Sequence, residues 1–185
     1  MEVDEQRIAA LRARAHPLRL RMLSLLTGAA MSAAELAREL GVSQALASYH
    51  LRQLADARVV ELAEERSRRG GRERRYRYRM EKVIPGHPPA SDDEGQALFI
   101  EAIIDELRRR SGQRAPKLPG LTIDAELWVE PEDWETARAA IASAGTMLHE
   151  RARRPHEPGT VHLNLTAALF PMIEPPTVEP QTEVT

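Results

Sequence analysis

Ser43, Gln44, Ala45, Ser48, Tyr49 and Arg52 recur at intervals of one, three and four residues. That spacing gathers side chains on one side of a helix. Hydroxyl, amide, phenol and guanidinium groups on one face can donate and accept hydrogen bonds together. Shortly after come Arg68, Arg69, Arg72 and Arg74, within a run of residues 66–79 that holds eight Arg against one Glu. A charge run is often just a solvated face. On so short a segment, however, like charges repel, and an anionic partner is the simplest account of them.

Other chemistries find little support. With no Cys there are no disulfides, thiolate metal sites or thiol catalysis. The chain has no phosphate loop, no dinucleotide fingerprint and no Gly-flanked nucleophilic Ser. His149-Glu150 is followed by Arg151-Ala152-Arg153, so a zinc-protease pattern fails at its second His. Glu126, Trp128, His149, His156, His162 and Asn164 are the polar candidates for a sensor site, but a metal needs three or four converging ligands. No cofactor, no metal and no catalysis are expected. His50 is read as a packed or hydrogen-bonded helix residue rather than a ligand or pH switch.

The elements that position these residues belong to a chain of 185 residues, 42% hydrophobic and 29% charged, enough to bury a core. Aromatics are only 4%, so aliphatic side chains must fill that core. The net charge of −2 conceals an asymmetry: residues 1–82 carry 17 basic and 11 acidic groups, and residues 83–185 carry 9 and 17. A basic half joined to an acidic half suggests a polyanion-binding module beside one that does not touch the polyanion. Twelve of the 13 prolines lie after residue 84, beginning with Pro85-Gly86-His87-Pro88-Pro89, which reads as a linker. No apolar run approaches the roughly 20 residues of a membrane span, and the N-terminus lacks the order of a signal peptide. The expected location is cytoplasmic.

His16-Pro17 punctuates the first helical pattern, with His16 at a cap and Pro17 at the first helical position. The second helix runs to about Thr27 and Gly28 ends it. Ser32-Ala33-Ala34-Glu35 is a capping box, Gly41 stops that short helix, and Ser43 caps the next, residues 44–54. Ala47, Leu51 and Leu54 form its buried face. Two short helices across a tight Gly turn make a helix-turn-helix pattern. Residues 59–64 and 72–80 then read as strands joined through Arg68-Arg69-Gly70-Gly71, a hairpin turn that glycines make easily. In the second strand Arg74, Tyr76, Tyr78 and Met80 alternate with Glu73, Arg75, Arg77 and Arg79.

Residues 16–23, 32–44 and 48–54, followed by the Gly-Gly hairpin, resemble the winged-helix arsenic-repressor (ArsR-type) family of bacterial transcription regulators. The similarity covers roughly residues 5–82. It implies a sequence-specific regulator of double-stranded DNA, a repressor acting as a homodimer on an inverted repeat and released by a small-molecule effector. The recognition helix would use Ser43, Gln44, Ala45, Ser48, Tyr49 and Arg52, and the wing Arg68, Arg69, Arg72 and Arg74. Half-site centres would lie about 34–36 Å apart. Two departures stand out. The stretch Ala33 to Ala37 lacks the Cys of the family's metal sensors, and Arg58 stands where a Gly usually follows the recognition helix. A winged helix that binds protein or RNA without reading an operator is the alternative.

In the second half, residues 96–110 form a strong helix whose Phe99, Ile100, Ile103, Ile104 and Leu107 are the candidate dimer face. Leu121, Ile123, Ala125, Leu127 and Val129 alternate as a strand. Trp134, Ala137, Ile141, Ala144 and Leu148 then step down a helix, and Val161, Leu163, Leu165, Ala167 and Leu169 form a last strand. Two strands alone are marginal, so they are expected to join others across a dimer axis. The expected fold class is α+β: a winged helix-turn-helix domain at 1–82, a linker at 83–95, a small α+β dimerisation or effector domain (helix, then strand-helix-strand) at 96–170, and a disordered tail at 171–185.

Overall fold

In the computed structural model the described residues are 2–68, 71–80 and 92–173. Helices α1 (Glu2–Arg14) and α2 (Pro17–Gly28) lead into β1 (Met31–Ser32), α3 (Ala33–Leu40) and α4 (Gln44–Asp56). The hairpin β2 (Val60–Arg68) and β3 (Gly71–Tyr78) follows, then α5 (Asp93–Ser111) and α6 (Pro131–Arg151). The sheet is antiparallel in the order β1-β3-β2. The fold is α+β: a helix-turn-helix with a three-stranded sheet and further helices.

Local chemistry sets most of these boundaries. His16 Nδ1 accepts from the Leu18 amide at 3.1 Å, capping α2 ahead of Pro17. At α3 the capping box closes both ways: the Glu35 amide donates to Ser32 Oγ at 3.4 Å, and the Ser32 amide donates to Glu35 Oε2 at 2.8 Å. Gly41 ends α3 in the left-handed region, φ 67°, which favours a residue without Cβ. Arg58, at φ 54°, keeps the left-handed turn between α4 and β2 although it is not Gly.

The core lies between α2, α3, α4 and the sheet. Met22, Leu26, Leu36 and Leu54 are fully buried there, with Ala47, Leu51 and Val60 beside them. Each large side chain contributes about 1.5–3 kcal/mol by leaving water. The strand β1 was not expected from the sequence. Met31 pairs with Tyr76 and Ser32 with Arg75. On its other side β3 pairs with β2 through a bulge at Ala63, between the pairs Leu62–Tyr76 and Glu64–Arg75.

Gly28 ends α2 as expected, and its missing Cβ also serves the packing. A Cβ there would fall 1.9 Å from the carbonyl oxygen of Arg153, so Gly permits a close backbone approach. The segment after α6 is thus held against the end of α2, and His156 Nε2 lies 3.2 Å from Glu39 Oε2.

Helix α5 starts at Asp93, inside the stretch expected to be linker. Asp92 caps it, accepting from the Gly95 amide at 3.2 Å and from Arg12 Nε at 2.7 Å. It packs on α1 and α2, with Gly95, Ala102 and Glu106 buried. The remainder of the expected linker and most of the expected tail lie outside the described residues.

Within the single chain, residues 121–129 and 161–169 do not form the expected strand-helix-strand unit. Neither forms a strand, and every residue of both is exposed. Alternation is only a side-chain pattern. A strand also needs a neighbour for its amides and carbonyls, and these two segments do not pair with each other.

Candidate nucleic-acid interface

Helix α4 carries the first candidate group. Ala47, Leu51 and Leu54 anchor it, and Gln44, Ala45, Tyr49 and Arg52 emerge exposed on the other side, with Ser48 half-buried. Ser43 Oγ accepts from the Leu46 amide at 3.2 Å, which leaves its hydroxyl proton to donate elsewhere. Gln44 and Ala45 occupy the first turn, where free amides and the helix dipole favour an anion. Arg52 Nε reaches back to the Ser48 carbonyl at 3.4 Å, and its guanidinium remains in solvent. Leu46 is also exposed beside Gln44 and Ala45. Helical spacing had not singled it out, and only its position after the cap could have done so.

The hairpin differs from the expectation of repelling charges. Strands β2 and β3 together hold six Arg and four Glu. Arg66 meets Glu64 at 2.7 Å, and Arg79 meets Glu61 at 2.6 Å. Arg72 and Arg74 both approach Glu65, at 3.5 and 3.6 Å. Exposed pairs of this kind contribute about 0–1 kcal/mol and leave donors open to a phosphate. Arg72 and Arg74 are exposed. Arg68 ends β2 and the expected turn lies just beyond it; Arg69 is outside the described residues.

Arg75 departs most from the pattern. It is buried, with Nη2 and Nε donating to the Ala30 carbonyl at 2.8 and 3.2 Å and Nη2 lying 3.0 Å from Glu35 Oε1. This cation ties the sheet to the capping box of α3. Burial pushes the Glu35 carboxyl up, but the Ser32 amide, Arg75, the Ser32 hydroxyl and Arg38 outweigh it and hold the group below the usual carboxylate range.

On the inner face of α4, His50 is buried and packs at a tilt of 44° against His16, with ring centroids 4.6 Å apart. Tyr49 meets its edge at 5.1 Å. His50 Nδ1 has no hydrogen-bond partner among the described residues. Burial first, then His16 and Arg19, lowers the His50 pKa; burial first, then Arg19, lowers that of His16. His50 is therefore packed, as the sequence suggests, although not through a hydrogen bond at Nδ1.

The candidate dimer residues of α5 are divided. Phe99, Ile100, Ile103 and Ile104 are half-buried and Leu107 is exposed. The Arg14 guanidinium lies 5.8 Å from the Phe99 ring centroid. Packing on α1 and α2 thus takes up part of the apolar surface assigned to a partner.

The sensor candidates scatter. His149 Nδ1 lies 2.8 Å from the Gly145 carbonyl, Asn164 Oδ1 accepts from Arg110 Nη1 at 3.2 Å, and Trp128 is exposed. Among the described residues no three His, Asp or Glu gather as metal ligands. A surface cavity of about 230 Å³ lies between Met31, Glu35, Arg38, Glu39 and Arg154. It is smaller than the ~300–1,000 Å³ of most small-molecule pockets. No helix among the described residues is long and apolar enough to cross a membrane.

The class of module now follows from comparison as well as geometry. A family described as a helix-turn-helix domain matches residues 15–63. The match spans α2, β1, α3, α4 and the first residues of β2. Residues 15–63 are thus similar to a family of helix-turn-helix DNA-binding domains. No curated protein matches the chain.

Proposed function

We propose that this protein is an ArsR-type transcriptional repressor: a homodimer that reads an inverted repeat in duplex DNA and leaves it when a small-molecule effector binds. One observation carries the reading: the exposed row Gln44, Ala45, Tyr49 and Arg52 on a helix whose opposite face is buried in the core, beside a hairpin with exposed arginines. In this reading α4 enters the major groove by its N-terminal end, and Gln44 pairs with an adenine. Ser43 and Ser48 donate to phosphates, Arg52 holds the backbone, and Arg68, Arg69, Arg72 and Arg74 lie along the wing near a minor groove. One module makes few base contacts, so two copies on a two-fold site supply the affinity. The protein catalyses no reaction and works in the cytoplasm. Residues 1–82 bind DNA and the C-terminal part holds the dimer together.

Binding to selected duplexes across a salt series tests this. Affinity should fall steeply, with a log–log slope near 0.9 per phosphate neutralised. Gln44→Ala should cost about 1–3 kcal/mol and relax preference at one base position, whereas Arg72→Ala with Arg74→Ala should weaken all sequences alike and flatten the slope. A flat salt response, or the same behaviour from both variants, contradicts the reading.

A further inference from the structure

We infer that residues 121–129 and 161–169 are strands of an intermolecular sheet, in which the 121–129 segment of one copy pairs with the 161–169 segment of a second copy. This locates the homodimer contact proposed above and rests on that two-fold assembly, not on DNA binding.

The surface area points to an obligate partner. The chain exposes 14738 Å², whereas a folded monomer of its mass exposes about 9,000 Å². Even if every residue outside the described set counts as extended chain, an excess of about 2,500 Å² remains. Obligate dimers bury about 1,000–2,500 Å² on each partner. Apolar side chains of both segments stand in solvent: Leu121 is 82% exposed, Ile123 79%, Leu127 72% and Val161 69%. Between these segments α6 runs for 21 residues without one buried side chain. A helix of that length holds little stability in water unless a face packs.

A second copy is the occupant that fits. Each chain carries two nine-residue segments with five alternating apolar residues, so two copies supply four strands and two long helices. Four strands suffice for a stable layer where two do not. The platform is already started: Leu165 Cδ2 lies 4.0 Å from where a Cβ on Gly145 of α6 would be, and Arg110 holds Asn164. Charge selects the pairing. Antiparallel pairing of two 121–129 segments about Ala125 would set Asp124 against Glu126 twice, and like charges directly opposite destabilise. The 161–169 segment offers His162, Asn164 and Thr166 on its polar side, with no acid.

Sedimentation of the full chain should give twice its 20.7 kDa mass. Ile123→Asp with Leu163→Asp should halve that mass and leave the helical circular dichroism of α1–α5 in place. Hydrogen exchange should show slow amides in both segments of the dimer, and dilution of the wild type should speed exchange there first, a readout that stands even if the double variant aggregates. Because the chain has no Cys, a mixture of Asp124→Cys and Thr166→Cys proteins should be joined by a short bifunctional thiol reagent, and Asp124→Cys alone should not. A monomer at tens of micromolar overturns the inference. So does a dimer that survives the double variant, fast exchange in both segments of the dimer, or efficient joining of Asp124→Cys to itself. The salt slope of DNA binding is measured independently, so loss of this contact and loss of the regulator reading are told apart.

Discussion

The winged portion and residues 113–173 obey the same hydrophobic patterning with opposite results. In the first, Leu23, Leu26, Leu51 and Leu54 find partners within the chain and sink to 0–4% exposure. In the second, Leu121, Ile123 and Leu127 alternate just as regularly and stay in solvent. Periodicity states which face wants cover. It does not state whether the cover is on the same molecule.

The largest effect that would sharpen this contrast is in the core. Leu26→Ala should lower unfolding stability by about 2–5 kcal/mol at every protein concentration. Leu127→Ala should instead act through a midpoint that depends on concentration. Equal, concentration-independent losses in urea melts would erase the distinction between the two regions.

A second contrast lies within the hairpin. Arg75→Ala removes a buried cation shared by the Ala30 carbonyl and Glu35, and should cost about 2–4 kcal/mol of stability. Glu65→Gln should leave stability nearly unchanged and strengthen DNA binding, because Glu65 competes with phosphates for Arg72 and Arg74. A thermal melt and a binding isotherm on each variant separate the two roles; a stability loss shared by both would merge them.

The first region was largely legible because its signals are local. The Ser32–Glu35 box, the left-handed Gly41, the His16-Pro17 cap and the buried triplet of α4 each follow from residues within two turns of each other. Arg75 was not legible. The bulge at Ala63 and the two-residue strand β1 decide where that side chain goes, and neither leaves a mark in the alternation of β3. For 121–129 and 161–169 the pattern was readable but the pairing was not, since the missing neighbour is not encoded nearby.

Acid should weaken the first region through His16 and His50. His16 and His50 both have pKa values below the ordinary ~6.5. The unfolded chain therefore takes up protons first. Their contribution is complete above about pH 6.5 and is lost as pH falls through the lowered folded values. His50→Leu should reduce this acid sensitivity in melts between pH 7 and 5, and an unchanged pH profile would contradict it. The smallest effect is at Arg58: Arg58→Gly should raise stability by about 1 kcal/mol by relieving the left-handed turn at φ 54°. A loss in the same melt would mean that the Arg side chain holds something the turn needs.

Gly28 gives the molecule a mechanical stop. The Arg153 carbonyl oxygen occupies the room that one methyl group would take. Any sliding of the chain after α6 along the end of α2 must first lift that oxygen away, and Gly28→Ala would act as a wedge between α2 and the segment that follows α6.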